Sequence, residues 1–150
     1  MKKQNILILC ILAFVAMFIM SCKKSPQLGN YIGTFSGTYK YNNTKAEIST
    51  TYEFKITQNT KNKIVIQEMK NNTSSTLQKI DNDSIVGAIG FSNVYDPNNS
   101  KGQTLNIIKI RGQYQEIDEK TIIRGIFTGD VFIDEKKIPT SGEFVLNQAN

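Results

Sequence analysis

From residue 31 onward, hydrophobic and polar positions alternate with a period of two, the spacing of a strand with one buried face. Tyr31, Gly33, Phe35, Gly37, Tyr39 and Tyr41 share one face, and Ile32, Thr34, Ser36, Thr38 and Lys40 share the other. Asn42-Asn43-Thr44 supplies a turn. Ile48, Thr50, Tyr52, Phe54 and Ile56 then alternate with Ser49, Thr51, Glu53, Lys55 and Thr57, which predicts a long first hairpin. Further strands are predicted over residues 63–69, 76–80, 84–91, 104–115, 120–133 and 138–147. Polar turns separate them, among them Asp81-Asn82-Asp83, residues 116–119 and a long loop over residues 92–103. Ile108, Ile110 and Tyr114 match Ile123, Phe127 and Val131 as inward faces of the hairpin around residues 116–119.

Roughly eight antiparallel strands with hairpin links and no amphipathic helix predict an all-β domain. An up-and-down barrel is expected, with a β-sandwich as the alternative. A barrel hides its edges, which suits long β-branched strands. The inward aromatic set of Tyr31, Phe35, Tyr39, Tyr52, Phe54, Phe91, Tyr114 and Phe127 is the candidate lining of an apolar pocket. An eight-stranded barrel is just wide enough either to be filled by such side chains or to hold one small ligand, and the pattern leaves both open.

Ahead of the strands, Lys2 and Lys3 precede fifteen consecutive apolar residues, Ile6 to Met20, followed by Ser21, Cys22, Lys23 and Lys24. A basic start, a short apolar run and a small residue at its end describe a signal peptide. The run is shorter than the roughly 20 residues that span a bilayer comfortably. Ile19-Met20-Ser21-Cys22 resembles the lipobox of bacterial lipoproteins, in the relaxed form of the Bacteroidota. The resemblance implies cleavage after Ser21, lipid on the Cys22 sulfur and acylation of the new amine. It divides the chain into a signal peptide (residues 1–21), a lipidated cysteine and tether (22–29) and a β domain (30–150). Lys23 and Lys24 would then lie against the headgroups. The acidic run that resembles a surface-export signal in Bacteroidota lipoproteins is missing after Cys22. The expected address is therefore the outer membrane, facing the periplasm. Gly33-Thr34-Phe35 and the strand order resemble lipocalin-like domains of small Bacteroidota lipoproteins. That implies a barrel for an apolar or amphipathic small molecule, although the chain has no tryptophan, the residue lipocalins carry after their first-strand glycine.

Composition narrows the chemistry. Without residues 1–21 the domain carries 16 basic and 13 acidic residues, scattered along the chain, which gives no footprint for nucleic acid. Histidine is absent, and the cysteines are Cys10, lost with the leader, and Cys22. The usual metal sites, catalytic bases and thiol nucleophiles cannot be built from such a set, and no cofactor is expected. Asp96, Asn98 and Ser100 have the first half of a calcium-loop spacing, but Ile107 stands where the closing Glu belongs. Arg111 and Arg124, the only arginines, fall on the outward parity of one hairpin. Leu105, Ile107, Ile122 and Ile126 share that outer face and would form an apolar patch.

These features predict a membrane-anchored, non-enzymatic binding module for a small apolar or amphipathic ligand. The alternative is a structural, inhibitory or protein-binding lipoprotein with a filled core, contacting an envelope partner through residues 92–103 or the 105–126 face.

Overall fold

A computed structural model describes residues 25–91, 104–133 and 136–149. Eight strands occupy this chain: β1 (Gly29–Tyr41), β2 (Thr44–Asn59), β3 (Lys63–Glu68), β4 (Thr73–Lys79), β5 (Ser84–Gly90), β6 (Thr104–Ile117), β7 (Lys120–Ile133) and β8 (Lys136–Gln148). Each pairs antiparallel with the next, and β8 returns to pair with β1, so the sheet is a closed up-and-down barrel. Closure removes both edges and rules out the sandwich. The leader, Cys22 and the calcium-like spacing around Asp96 lie outside the described residues.

Local chemistry explains the tight links. Asn42 and Asn43 take φ of 48° and 64°, and Asp118 and Glu119 take 50° and 64°. Two successive left-handed residues make the two-residue turn whose twist matches a hairpin, and Asn and Asp tolerate it best. With the first turn that short, β2 begins at Thr44 and its pairing with β1 runs from Tyr41↔Thr44 to Gly29↔Ile56. Strand β4 likewise begins earlier than its pattern predicts, taking in Thr73, Ser74 and Ser75.

The inward parity forms one core, reaching from Tyr31 and Phe35 on β1 round to Phe144 and Leu146 on β8. Small barrels coil sharply, and glycine lets the walls approach where rings are large. Gly37 faces Gly142 across the β1–β8 seam. A Cβ on Gly37 would lie 2.6 Å from the Ser141 carbonyl oxygen and 2.9 Å from the Phe127 ring.

Two expectations change. The outer patch loses Leu105, which is fully buried, because the β6–β7 register shifts between Leu105 and Ile108. A bulge adds one residue and reverses parity beyond it, so Ile107 points out at 58% exposure while Leu105 and Ile108 point in. The stretch expected as a tether is fastened down. Pro26 is buried, and residues 25–28 lie across the end of the barrel where β2, β4, β6 and β8 finish. Gly29, at φ 141°, turns this strap into β1, a backbone geometry that L side chains rarely adopt.

Lysine, glutamate, serine, threonine and glutamine dominate the outward positions of the walls, for example Ser49, Thr51, Glu53 and Lys55 on β2. A polar exterior over an apolar interior is the reverse of an outer-membrane barrel.

Candidate functional site

The eight predicted lining residues all face inward, but they do not meet in one place. Phe35 on β1 is the centre of a ring cluster. Its centroid lies 6.0 Å from those of Tyr52 and Phe54, 5.6 Å from Phe91, 5.8 Å from Phe127 and 5.7 Å from Phe144. These separations are those of rings in contact, mostly edge to face, with Phe144 stacked at 19°. Tyr52 and Phe91 close the group at 4.3 Å. Six side chains from β1, β2, β7, β8 and the end of β5 thus form an aromatic layer across the barrel. Phe144 was not among the predicted lining. Its period-two spacing with Leu146 on β8 carries the signal that would have included it.

The remaining three tyrosines sit towards the ends. Tyr31 donates its hydroxyl to the Gln27 carbonyl at 2.8 Å, beneath the strap. Tyr114 donates to the Asn82 carbonyl at the same end. Tyr39 is buried near the opposite end, beside the seam. Burial pushes the Tyr31 hydroxyl above its usual pKa, with the Thr121 and Gln27 hydrogen bonds opposing the rise. Tyr52, the one half-buried member of the set, is also raised by burial; bonds to Thr50 and the Leu105 backbone oppose this, and the Glu68 charge adds to it.

Glu68 is a buried carboxylate on the inward parity of β3, in line with Ile64 and Ile66. Its oxygens accept from Lys70 N at 2.8 Å, Asn71 N at 3.0 Å and Asn71 Nδ2 at 2.9 Å. Those bonds fix the β3–β4 turn and occupy the carboxylate, a structural use of a buried charge. Among the described residues no three His, Cys, Asp or Glu side chains are placed to hold a metal ion. Arg111 and Arg124 are exposed on the outer wall, as their parity predicts.

An open cleft of about 690 Å³ lies where β8 meets β1. Its walls are Thr38, Tyr39, Lys40, Lys45, Thr128, Gly129, Pro139, Thr140 and Ser141. Thr38, Ser141 and Thr128 are register partners on β1, β8 and β7, so three hydroxyl residues form a row. Lys40 lies directly opposite Lys45 one pleat beyond. Like charges in that relation repel, and no carboxylate is in the lining. The sequence reading missed this site, because its residues come from four strands and only closure of the β1–β8 seam makes Thr38 and Ser141 neighbours.

No protein-family model, curated protein or solved structure shows a significant match to this chain.

Proposed function

We propose that the protein is an envelope lipoprotein, anchored through Cys22, whose barrel is a non-enzymatic binding module acting through its outer surface. The observation that carries this reading is the six-ring layer around Phe35, whose rings pack against one another across the barrel, as in a small barrel filled by its own side chains. The contact we assign is the seam cleft. Two opposed lysines without a lining carboxylate, next to a row of hydroxyls, suit an anionic group such as a phosphate, sulfate or carboxylate on another envelope molecule.

Full-length protein passed over immobilised dextran sulfate tests the contact. Retention that neutral dextran does not give, and that Lys40→Glu with Lys45→Glu abolishes, supports it; equal retention of the variant overturns it. The anchor is tested by Cys22→Ala, which should lose metabolic palmitate label and leave the membrane fraction.

A second reading, a carrier of an amphipathic ligand, draws on Tyr52. That ring is half-buried, and its hydroxyl bonds the backbone at Leu105, beside the start of β6. Native mass spectrometry separates the two. An apolar small molecule retained stoichiometrically through purification would favour the carrier over the surface reading.

A further inference from the structure

Leu28, Ile80 and Ile117 are large aliphatic residues exposed at 60%, 55% and 43%. All three sit at one end of the barrel. Leu28 precedes β1, Ile80 follows β4 and Ile117 ends β6. The strap crosses this same end. Gln27 N donates to Thr121 Oγ1 at 3.2 Å, and Gln27 Nε2 donates to the Glu119 carbonyl at 3.3 Å. Lys79 Nζ donates to Ser25 Oγ at 2.6 Å, and Asn59 Nδ2 donates to the Pro26 carbonyl. The first described residue, Ser25, is thus tied to the barrel end and is not free to swing away.

We propose that this strapped end rests on the bilayer, with Leu28, Ile80 and Ile117 dipping into the boundary between headgroups and acyl chains. The inference rests on the reading that Cys22 carries lipid. Only Lys23 and Lys24 lie between Cys22 and Ser25, and a fully extended chain covers at most about 10 Å over those three steps. A lipid-bearing sulfur in the interface therefore holds the strap, and the three aliphatics around it, within reach of the layer roughly 5–10 Å deep into which apolar faces sink.

Charge at this end argues for apolar insertion over electrostatic attraction. Lys61, Lys63, Lys79 and Lys120 are offset by Asp81, Asp83, Glu116, Asp118 and Glu119 on the adjoining turns and strand ends. Lys23 and Lys24 add two positive charges in the sequence just before the strap. A neutral bilayer should therefore suffice. The orientation would also turn the opposite end of β1, and with it Lys40 and Lys45, away from the membrane.

The chain has no tryptophan, so one introduced indole is a sole reporter. Ile80→Trp, Ile117→Trp and, at the opposite end, Met69→Trp are made in the full chain, matured in cells and reconstituted into phosphatidylcholine vesicles. Emission is compared with vesicles whose acyl chains are brominated. The expected result is a blue shift and loss of intensity at positions 80 and 117, with neither at 69. Protein that stays vesicle-bound with no quenching at 80 and 117 overturns the docking inference and leaves the anchor standing. Protein that carries no lipid on Cys22 and floats free of vesicles overturns the anchor, and this inference with it.

Discussion

The barrel has a tall wall and a short one. Strands β1, β2, β6, β7 and β8 run 13 to 16 residues, whereas β3, β4 and β5 run 6 or 7. The tall wall supplies Phe35, Tyr52, Phe54, Phe127 and Phe144 to the aromatic layer, whereas the short wall adds one ring, Phe91 just after β5, and otherwise packs Ile64, Ile66, Leu77, Ile85 and Ile89. The β4–β5 ladder covers only Leu77 to Lys79, while β6 pairs with β7 over almost its full length. Rings of that size bring many dispersion contacts but demand room opposite, which is where the seam glycines lie. The short wall has smaller side chains and fewer ladder bonds, so its local opening should cost less than global unfolding. The difference implies that the tall wall holds the fold together and that the short wall is where it loosens first.

The hardest test of that asymmetry is Phe35→Ala. Removing the ring that touches five others should cost about 3–5 kcal/mol in denaturant unfolding, enough to leave the domain marginal. A loss below that of Ile85→Val, about 0.5–1.5 kcal/mol, would show that the aromatic layer is not the centre of stability. Gly37→Ala comes next, at about 1–3 kcal/mol, because the new methyl meets the Ser141 carbonyl and the Phe127 ring. Glu119→Gly should stabilise by about 1 kcal/mol, since Glu119 holds a left-handed φ of 64° that glycine adopts freely. The smallest effect belongs to Gly90→Ala on the short wall. Its added Cβ meets only the Thr73 methyl at 3.5 Å, so the change should stay within about 1 kcal/mol of zero by the same denaturation measurement. Equal costs at positions 37 and 90 would erase the distinction between the walls. Native-state hydrogen exchange would sharpen it, with the β4–β5 amides expected to open at lower free energy than those of β6–β7.

The parity of side chains was readable from the sequence because a strand has a fixed period of two. That period placed Phe35, Phe54 and Phe127 inside and Arg111 and Arg124 outside, while turn-forming residues marked Asn42-Asn43-Thr44 and residues 116–119, which the structure narrows to Asn42-Asn43 and Asp118-Glu119. Leu105 escaped it, since one inserted residue reverses parity and alternation cannot reveal a bulge. The strap escaped it as well. Ser25, Pro26 and Gln27 look like a tether in sequence, and their partners Asn59, Lys79 and Thr121 lie far along the chain. The seam decided the rest. Period alone says which face a residue occupies and nothing about which distant strand stands beside it. Only the pairing of β8 with β1 stacks Phe144 on Phe35, sets Gly37 against Gly142 and puts Thr38 beside Ser141 in the cleft. The alternation of the chain determined an inside and an outside. Closure of the barrel decided what that inside packs and what that outside presents.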